Sequence, residues 1–251
     1  MHPMELIRTF APAPGSLLAV AHLPPDTPET ALLARAPAWL ATAGIPAALT
    51  HLRRRAEWLA GRVLAAELLT RLTPDAAPLL IQTDEFGRPH LRTAAGARAG
   101  AVSLSHGGGW VAALVALGAT ARAGLDLEPD RAKTLALAPR WLTPPELAAV
   151  GADPARAALA WSLKETLYKL YGRRQLDFRQ HLHLELAAWP PPGALLPATG
   201  TVPGRITRPT PPAMAETTPA HYWTHHLRYE RATPPCWLTY CVAAGTQVSD
   251  F

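Results

Sequence analysis

Residues 101–130 constrain the fold more than any other stretch of the chain. Two apolar runs, AVSLSH and WVAALVAL, are joined by three glycines, a pattern that predicts a β-hairpin with a flexible turn. A third run, AGLDLEPD, follows after a short segment and alternates apolar with acidic residues. Side chains alternate between the two faces of a strand, so Asp126 and Glu128 share one face and Leu125 and Leu127 share the other.

The two carboxylates of this strand are unfavourable neighbours. They repel each other unless a cation or a basic group lies close to them. A solvated strand end is one explanation, because most charged side chains face water. A bound Mg²⁺ is the other, since this ion prefers oxygen ligands and usually takes a few carboxylates together with substrate phosphates.

Two long helices are predicted, one in each half of the chain. Residues 51–72 carry apolar side chains at helical spacing, with Arg53 among three arginines in the first turns. Residues 154–171 form the second helix, which ends at Gly172, a natural C-cap. Glu165 and Lys169 lie one turn apart on this helix, away from its leucine stripe. An ordinary ion pair, worth only about 0.2–0.5 kcal/mol, explains that spacing equally well.

The remaining apolar runs predict short strands around these helices. PLLIQTD, QHLHLELAAW, HYWTHHLRYE and CWLTYCVAA have strand character, and the last two are expected to form a closing hairpin. The proline-rich residues 190–220 are expected to form a loop. The predicted fold is α+β, with two pseudo-symmetric lobes, residues 1–118 and 119–251. In each lobe, a helix packs on a small, largely antiparallel sheet.

Composition narrows the class of protein. The chain has 24 Lys and Arg against 19 Asp and Glu, a net charge of +5, which favours anionic partners such as nucleic acid, a phosphate-rich cofactor or an acidic protein. Cys236 and Cys241 make neither a disulfide framework nor a common metal motif. The N-terminal residues do not resemble a signal peptide, and no apolar run is long enough for a membrane span. We therefore expect a soluble cytoplasmic protein.

Ser105 and His106 end a predicted strand at the glycine-rich turn. A hydroxyl, an imidazole and free backbone N–H groups at such a turn can contact phosphate. A hairpin whose histidine faces water is the simpler alternative. A Ser–His nucleophile is disfavoured, because the G-x-S-x-G motif is missing and no acid is evidently placed to orient the histidine.

These motifs together resemble a known family. GRPHL, SLSHGGGW, GLDLE and WSLKETLYK occur in this order within residues 50–185. This arrangement resembles the 4′-phosphopantetheinyl transferases of the surfactin-synthetase type, which carry G-x-D-x-E and W-x-x-K-E-x-x-x-K in the same order. The helix RRRAEWLAGR further resembles the branch associated with siderophore synthesis.

The resemblance implies a reaction and roles for individual residues. Asp126, Glu128 and Glu165 would hold Mg²⁺ on the pyrophosphate of coenzyme A. Glu165, or a water that it orients, would take the proton from a serine of an apo carrier protein. Lys169 would stabilise or protonate the departing adenosine 3′,5′-bisphosphate. The family also implies a monomer of two α/β lobes with the site in the cleft between them, and an acidic carrier protein as partner.

Further positions match the family's contacts to coenzyme A phosphates. These are Arg88, Ser105 and His106. Arg53 and Arg62 are expected as additional contacts from the basic helix, without a matching family position. Two positions depart from the family pattern. Gly107 replaces a common serine, which removes one hydrogen bond to the cofactor, and Arg174 replaces a glycine of the loop after the long helix, which bears on carrier docking.

Two other functions remain open from the sequence. The same three acids could serve a metal-dependent phosphohydrolase or nuclease, which would need no carrier protein. The arginine content could instead serve a non-catalytic binder of RNA or of an anionic protein, although no aromatic–basic RNA motif is present. The predicted transferase interacts with neither nucleic acid nor membrane.

Overall fold

The computed structural model describes residues 3–75, 79–85, 87–172, 176–207, 222–232 and 236–244. The chain forms two compact units: unit 1 comprises Met1–Leu127 and Val242–Phe251, and unit 2 comprises Glu128–Cys241. Both combine helices with antiparallel strands, which confirms the predicted α+β class. The sequence-based lobe limits stay a prediction. None of the helices in these described ranges is long and apolar enough to cross a membrane.

Unit 1 is built on a six-stranded antiparallel sheet. Its strand order is β1-β2-β6-β5-β4-β3. The strands are β1 Glu5–Phe10, β2 Ser16–His22, β3 Leu80–Thr83, β4 Pro89–Arg92, β5 Arg98–Gly107 and β6 Trp110–Leu117. The helices are α1 Glu29–Leu33, α2 Ala38–Ala43 and α3 Leu52–Leu72.

Helix α3, which the sequence predicted, supplies one side of the core of unit 1. Its buried residues include Leu59, Val63 and Leu68, which belong to the same apolar cluster as Val111 and Val115 of β6. Burial of this apolar surface stabilises the layer of helix on sheet. The helix is therefore fixed to the strand that leads away from the glycine turn.

The predicted hairpin at the glycine-rich turn is confirmed. Strands β5 and β6 pair from Gly100↔Leu117 to Gly107↔Trp110. Gly108 and Gly109 form the two-residue turn with φ of 60° and 88°. Two positive φ angles in succession are the requirement of a type I′ turn, which glycine meets without strain.

Strand β7, Ala121–Pro129, carries the chain from unit 1 into unit 2. Leu125 and Leu127 are buried, as the alternation predicted. Asp126 is also buried, with 6% of its surface exposed, whereas Glu128 is half-buried. A fully solvated strand end is therefore wrong for Asp126.

Within the described residues, unit 2 combines three α-helices with strands that lie in the order β8-β9-β10-β11. The helices are α4 Ala132–Leu137, α5 Pro144–Val150 and α6 Pro154–Tyr171, and a short 3₁₀ turn spans Ala138–Arg140. The strands are β8 Leu182–Leu184, β9 Thr199–Thr207, β10 Tyr222–Ala232 and β11 Cys236–Ala244. The antiparallel pairing of β10 with β11 confirms the predicted closing hairpin.

Helix α6 has clear signals at both ends. The Asp153 side chain accepts hydrogen bonds from the N–H groups of Ala155 at 2.8 Å and of Arg156 at 3.3 Å, which caps the first turn. Gly172 follows the last turn in the left-handed conformation, with φ of 72°. The predicted helix and its C-cap are confirmed.

The prediction of a loop over residues 190–220 is wrong in part. Residues 199–207 form strand β9, which pairs with both β8 and β10. Pro203 is tolerated because β8 ends at Leu184, so the missing N–H falls beyond the shorter strand, where the carbonyl of Pro203 still accepts from Glu185 at 2.9 Å. Residues 208–220 lie outside the described part of the chain, as does Arg174.

Candidate functional site

The structure brings together two of the predicted site residues, Ser105 on β5 and Asp126 on β7. The Ser105 hydroxyl donates to Oδ1 of Asp126 at 2.8 Å and accepts from the N–H of Leu127 at 3.2 Å. Both side chains are buried. The serine therefore fixes the carboxylate of Asp126 in one orientation, and it connects a strand of the hairpin with the acidic strand.

A second contact in unit 1 links His106 and Arg53 through a residue that the sequence did not single out. Glu57 of α3 lies with Oε2 3.0 Å from Nδ1 of His106 and accepts the Nε–H of Arg53 on Oε1 at 3.1 Å. The i,i+4 spacing of Arg53 and Glu57 was the available signal. The carboxylate thus gives both basic groups a fixed partner beside the hairpin turn.

Arg53 is also tied to the backbone. Its two terminal nitrogens donate to the carbonyls of Pro24 at 2.9 Å and Leu23 at 3.1 Å, just after β2. Gly109 lies close by, because a methyl group added there would be 3.9 Å from Nη2 of Arg53 and 3.6 Å from Nε2 of His22. These contacts place the Arg53 guanidinium beside the glycine turn, and its contact with coenzyme A stays a prediction.

Arg62 occupies a more enclosed position on α3. Its guanidinium lies 3.7 Å from the ring centre of Trp58 and donates to the carbonyl of that residue at 3.4 Å. Burial lowers the pKa of Arg62 to about 10. The group is held against an aromatic face, and its proposed contact with phosphate is likewise untested.

Arg88 precedes β4 in the turn that the sequence predicted. Its backbone N–H donates to Oδ1 of Asp84 at 2.8 Å. The side-chain Nε and Nη2 are buried and have no hydrogen-bond partner among the described residues. Burial, followed by the charges of Arg98 and Arg122, lowers the pKa of Arg88 to about 10. Nε and Nη2 of Arg88 therefore lack acceptors that a bound anion could supply.

The remaining predicted residues lie in unit 2. Glu165 and Lys169 are half-buried on α6, one turn apart, and Glu128 is half-buried near the end of β7. Lys169 stands in the last turn of α6, where the helix dipole favours a positive charge. Their roles stay predictions.

Sequence reasoning missed the function of the other lysine in the same motif. Lys164 is fully buried, and its ammonium donates to Oε2 of Glu146 at 2.8 Å and to the carbonyls of Trp141 and Phe178 at 2.9 Å each. The other oxygen of Glu146 accepts from the N–H of Leu184 at 2.7 Å. Of these two adjacent residues of α6, Lys164 therefore anchors the helix, whereas Glu165 stays a candidate functional residue.

The chemistry of Asp126 fits a hard cation. Its carboxylate is buried, and Oδ1 is hydrogen-bonded to a hydroxyl, the kind of outer partner that ligating carboxylates usually have. Within the described ranges, no group of three or more His, Cys, Asp or Glu side chains is arranged to hold a metal ion. The three-acid metal site thus stays a prediction that Asp126 supports by its chemistry.

Comparison with known families adds an independent observation. Residues 122–201, about a third of the chain, match the model of the 4′-phosphopantetheinyl transferase superfamily. The resemblance is confirmed at the level of this superfamily. The matched segment contains all three predicted metal carboxylates and Lys169, and it supports a transferase that moves phosphopantetheine from coenzyme A to a carrier protein. A comparison with curated proteins gives no match.

Proposed function

We propose that the chain is a magnesium-dependent 4′-phosphopantetheinyl transferase of the surfactin-synthetase type. It transfers the phosphopantetheine group of coenzyme A to a serine of an apo acyl or peptidyl carrier protein and releases adenosine 3′,5′-bisphosphate. The observation that carries this proposal is the hydrogen bond between Ser105 and Asp126. It joins the motif expected to contact phosphate with the motif expected to bind metal, as a diphosphate substrate requires.

Asp126, Glu128 and Glu165 are the residues that would hold Mg²⁺. When bound, the ion neutralises charge on the diphosphate and in the transition state. Ser105 contributes by orienting the carboxylate of Asp126, because a ligand fixed by a hydrogen bond loses less freedom when it binds. Asp126 is buried, so its charge also gains from a nearby cation more than a solvated carboxylate would.

Glu165 and Lys169 would divide the proton transfers. Glu165, directly or through a water, takes the proton from the carrier serine, whose oxygen forms the new bond to the β-phosphorus of coenzyme A. The bond from that phosphorus to the bridging oxygen breaks, and its electron pair leaves with adenosine 3′,5′-bisphosphate. Lys169 stabilises the charge on the departing oxygen or gives it a proton. The two residues are four positions apart on a rigid helix, which favours a constant spacing of acid and base.

The basic residues of unit 1 would bind the cofactor. Arg88 and His106 contact phosphate groups, with Arg53 and Arg62 as further contacts from α3. Arginine forks match phosphate geometry, and the net charge of +5 favours an acidic carrier protein. We further propose that the protein acts as a cytoplasmic monomer in secondary-metabolite biosynthesis.

Intact-mass measurement of carrier proteins tests the proposal. The protein is incubated with coenzyme A, Mg²⁺ and a panel of apo acyl and peptidyl carriers, and a carrier that gains one phosphopantetheine group supports it. A well-folded preparation that labels no carrier contradicts it. Cleavage of coenzyme A or of nucleic acid without any labelled carrier would instead identify the phosphohydrolase or nuclease.

A further inference from the structure

Unit 1 contains three arginines whose charges act on one another, which we call the arginine cluster: Arg88, Arg98 and Arg122. Arg88 precedes β4, Arg98 begins β5 and Arg122 lies near the start of β7. Arg98 donates from Nη2 to the carbonyl of Ala121 at 3.1 Å, which ties the beginnings of β5 and β7 together. Of the three, only Arg88 matches a family position for a phosphate contact.

The cluster carries unfavourable charge repulsion. Burial, followed by the charges of Arg98 and Arg122, lowers the pKa of Arg88, and burial, followed by the charges of Arg122 and Arg92, lowers that of Arg98. Asp84 offsets part of this charge. Its two oxygens also accept the backbone N–H of Arg88 at 2.8 Å and contact Nε2 of His90 at 2.6 Å. Arg88 and Arg98 therefore share the influence of an acid that already holds the turn.

Unsatisfied polar atoms are concentrated at the same place. Nine buried side-chain polar atoms in the described ranges lack a hydrogen-bond partner, and five of them belong to Arg88, His90, Arg98 and Ser103. Buried polar groups are nearly always hydrogen-bonded, so a group of exceptions indicates a bound water or ion. Beside three guanidinium groups, a bound ion would be an anion.

The strand register places the cluster on the face that leads to Asp126. His90 pairs with Ala101, so by continuation of this antiparallel register Arg88 lies opposite Ser103. Ser103 lies on the same face of β5 as Ser105, whose hydroxyl donates a hydrogen bond to Asp126. On β7, Arg122 and Asp126 share a face, with Cα atoms about 13 Å apart. This separation leaves room for one phosphate at the cluster and another group at Asp126.

We propose that Arg88, Arg98 and Arg122 together bind the dianion of a phosphate monoester. Guanidinium forks are suited to phosphate oxygens, and a dianion would balance the excess positive charge better than the monoanion of a diester. We assign this phosphate to the 3′-phosphate of coenzyme A, a step that rests on the proposed function. Arg98 and Arg122 would then determine specificity for coenzyme A over its 3′-dephospho form.

Two measurements test the site, and the first does not need the transfer reaction. Binding of adenosine 3′,5′-bisphosphate, adenosine 5′-monophosphate and inorganic phosphate is measured by calorimetry for wild type, Arg98→Gln and Arg122→Gln. Arg71→Gln is the control, because it removes the same charge from an exposed position on α3. We expect each cluster variant to weaken the bisphosphate about 10- to 100-fold, the loss of a hydrogen bond to a charged group, and Arg71→Gln to change it little.

The second measurement compares kcat/KM for coenzyme A and 3′-dephospho-coenzyme A with an apo carrier. In wild type the 3′-phosphate should improve kcat/KM by about 10- to 100-fold, and both cluster variants should reduce this preference. An unchanged preference overturns the assignment to coenzyme A. Bisphosphate binding that depends on the cluster in a protein that labels no carrier supports the site while the proposed function fails. Binding of neither bisphosphate nor inorganic phosphate overturns the site, and equal binding of inorganic phosphate and bisphosphate assigns it to free phosphate.

The variants also report on folding without ligand. Arg98→Gln loses the hydrogen bond to the carbonyl of Ala121 but also relieves repulsion within the cluster, so it should unfold within about 1 kcal/mol of wild type. This outcome excludes misfolding as the cause of weaker binding. Clear destabilisation without ligand would instead show that Arg98 is a structural residue, which contradicts the site.

Discussion

Replacement of Lys164 by methionine should strongly destabilise unit 2. The substitution keeps a long unbranched side chain but removes an ammonium group that is fully buried and donates three hydrogen bonds, to Glu146, Trp141 and Phe178. Glu146 would then remain as a carboxylate with only 3% of its surface exposed and without its cation. The loss therefore combines missing hydrogen bonds with an uncompensated buried charge.

The size of the stability loss in Lys164→Met depends on the hydrogen bonds that Glu146 keeps. Breaking one side of a buried ion pair typically costs about 3–5 kcal/mol. Glu146 keeps the N–H groups of Thr143 and Leu184, each at 2.7 Å, which partly solvate its charge. We therefore expect a loss near the lower limit, about 3 kcal/mol in the free energy of unfolding, or about 6–12 °C in the unfolding temperature.

Urea unfolding followed by circular dichroism measures this loss. Lys133→Met is the matched control, because it makes the same chemical change at an exposed position of α4. Glu146→Gln in the Lys164→Met background should recover part of the stability, since it removes the unpaired charge. If Lys164→Met and Lys133→Met unfold within about 0.5 kcal/mol of each other, the buried pair does not stabilise the unit and the reasoning is refuted.

Three further predictions concern other buried groups. Burial raises the pKa of Cys241 from 9.0 to about 11. As the pH rises, the unfolded chain therefore loses the thiol proton before the folded protein does, and stability falls above pH 9. Cys241→Ala should reduce the fall in unfolding free energy between pH 8 and pH 10 by about 1.4 kcal/mol, and an equal fall in both proteins would contradict this prediction. Arg156→Met leaves four carbonyls without their donor. Because each unsatisfied buried polar group costs about 1–3 kcal/mol, the variant should lose at least about 3 kcal/mol in denaturant unfolding, whereas Arg140→Met, at an exposed site, should lose little. Equal losses would show that the hydrogen bonds of Arg156 do not stabilise the unit. Ser105→Ala should weaken the apparent affinity for Mg²⁺ in the transfer assay about 10- to 100-fold. Ser16→Ala is the control: it also loses a buried hydroxyl, so it should lower stability similarly but leave the dependence on Mg²⁺ unchanged. If the two variants show the same dependence on Mg²⁺, Ser105 does not orient Asp126 for metal binding.

Elements with strong local signals were predictable from the sequence. Helix α6 has an aspartate cap, a leucine stripe and Gly172 at its end, and each signal acts within one or two turns. The β5–β6 hairpin depends on Gly108 and Gly109, which permit a turn that other residues resist. In both cases the residues that determine the element lie within the element or directly beside it in the sequence.

Elements that depend on distant partners were not predictable. Strand β2 pairs with β6 from Ser16↔Ala116 to His22↔Trp110, and nothing near residue 16 reveals that partner. Strand β9 was hidden by Pro203, which is allowed only because β8 ends beside it. A proline argues against a strand unless the length of its neighbour is known.

The candidate site shows the same division. The motifs gave the residue types at Asp126 and Ser105, but their contact joins positions 21 residues apart and requires the register of two strands. The buried charges of Lys164 and Arg156 were also missed, since charged residues are expected on the surface. Their partners are chiefly backbone carbonyls, which no residue pattern identifies.

The hydrogen bonds of Arg156 have a mechanical consequence for α6. Four carbonyls, those of Ala149, Pro190, Pro191 and Ala194, hold its guanidinium near the first turn, and the ammonium of Lys164 holds the helix two turns later. A helix fastened at two points along its length cannot roll about its axis unless both fastenings break. The orientation of its half-buried face is thus set when the unit folds, before any substrate arrives. The proline-rich segment supplies three of these carbonyls although it lies far along the chain from Glu165. Shortening it should therefore impair turnover as severely as many substitutions on the face of α6 that carries Glu165.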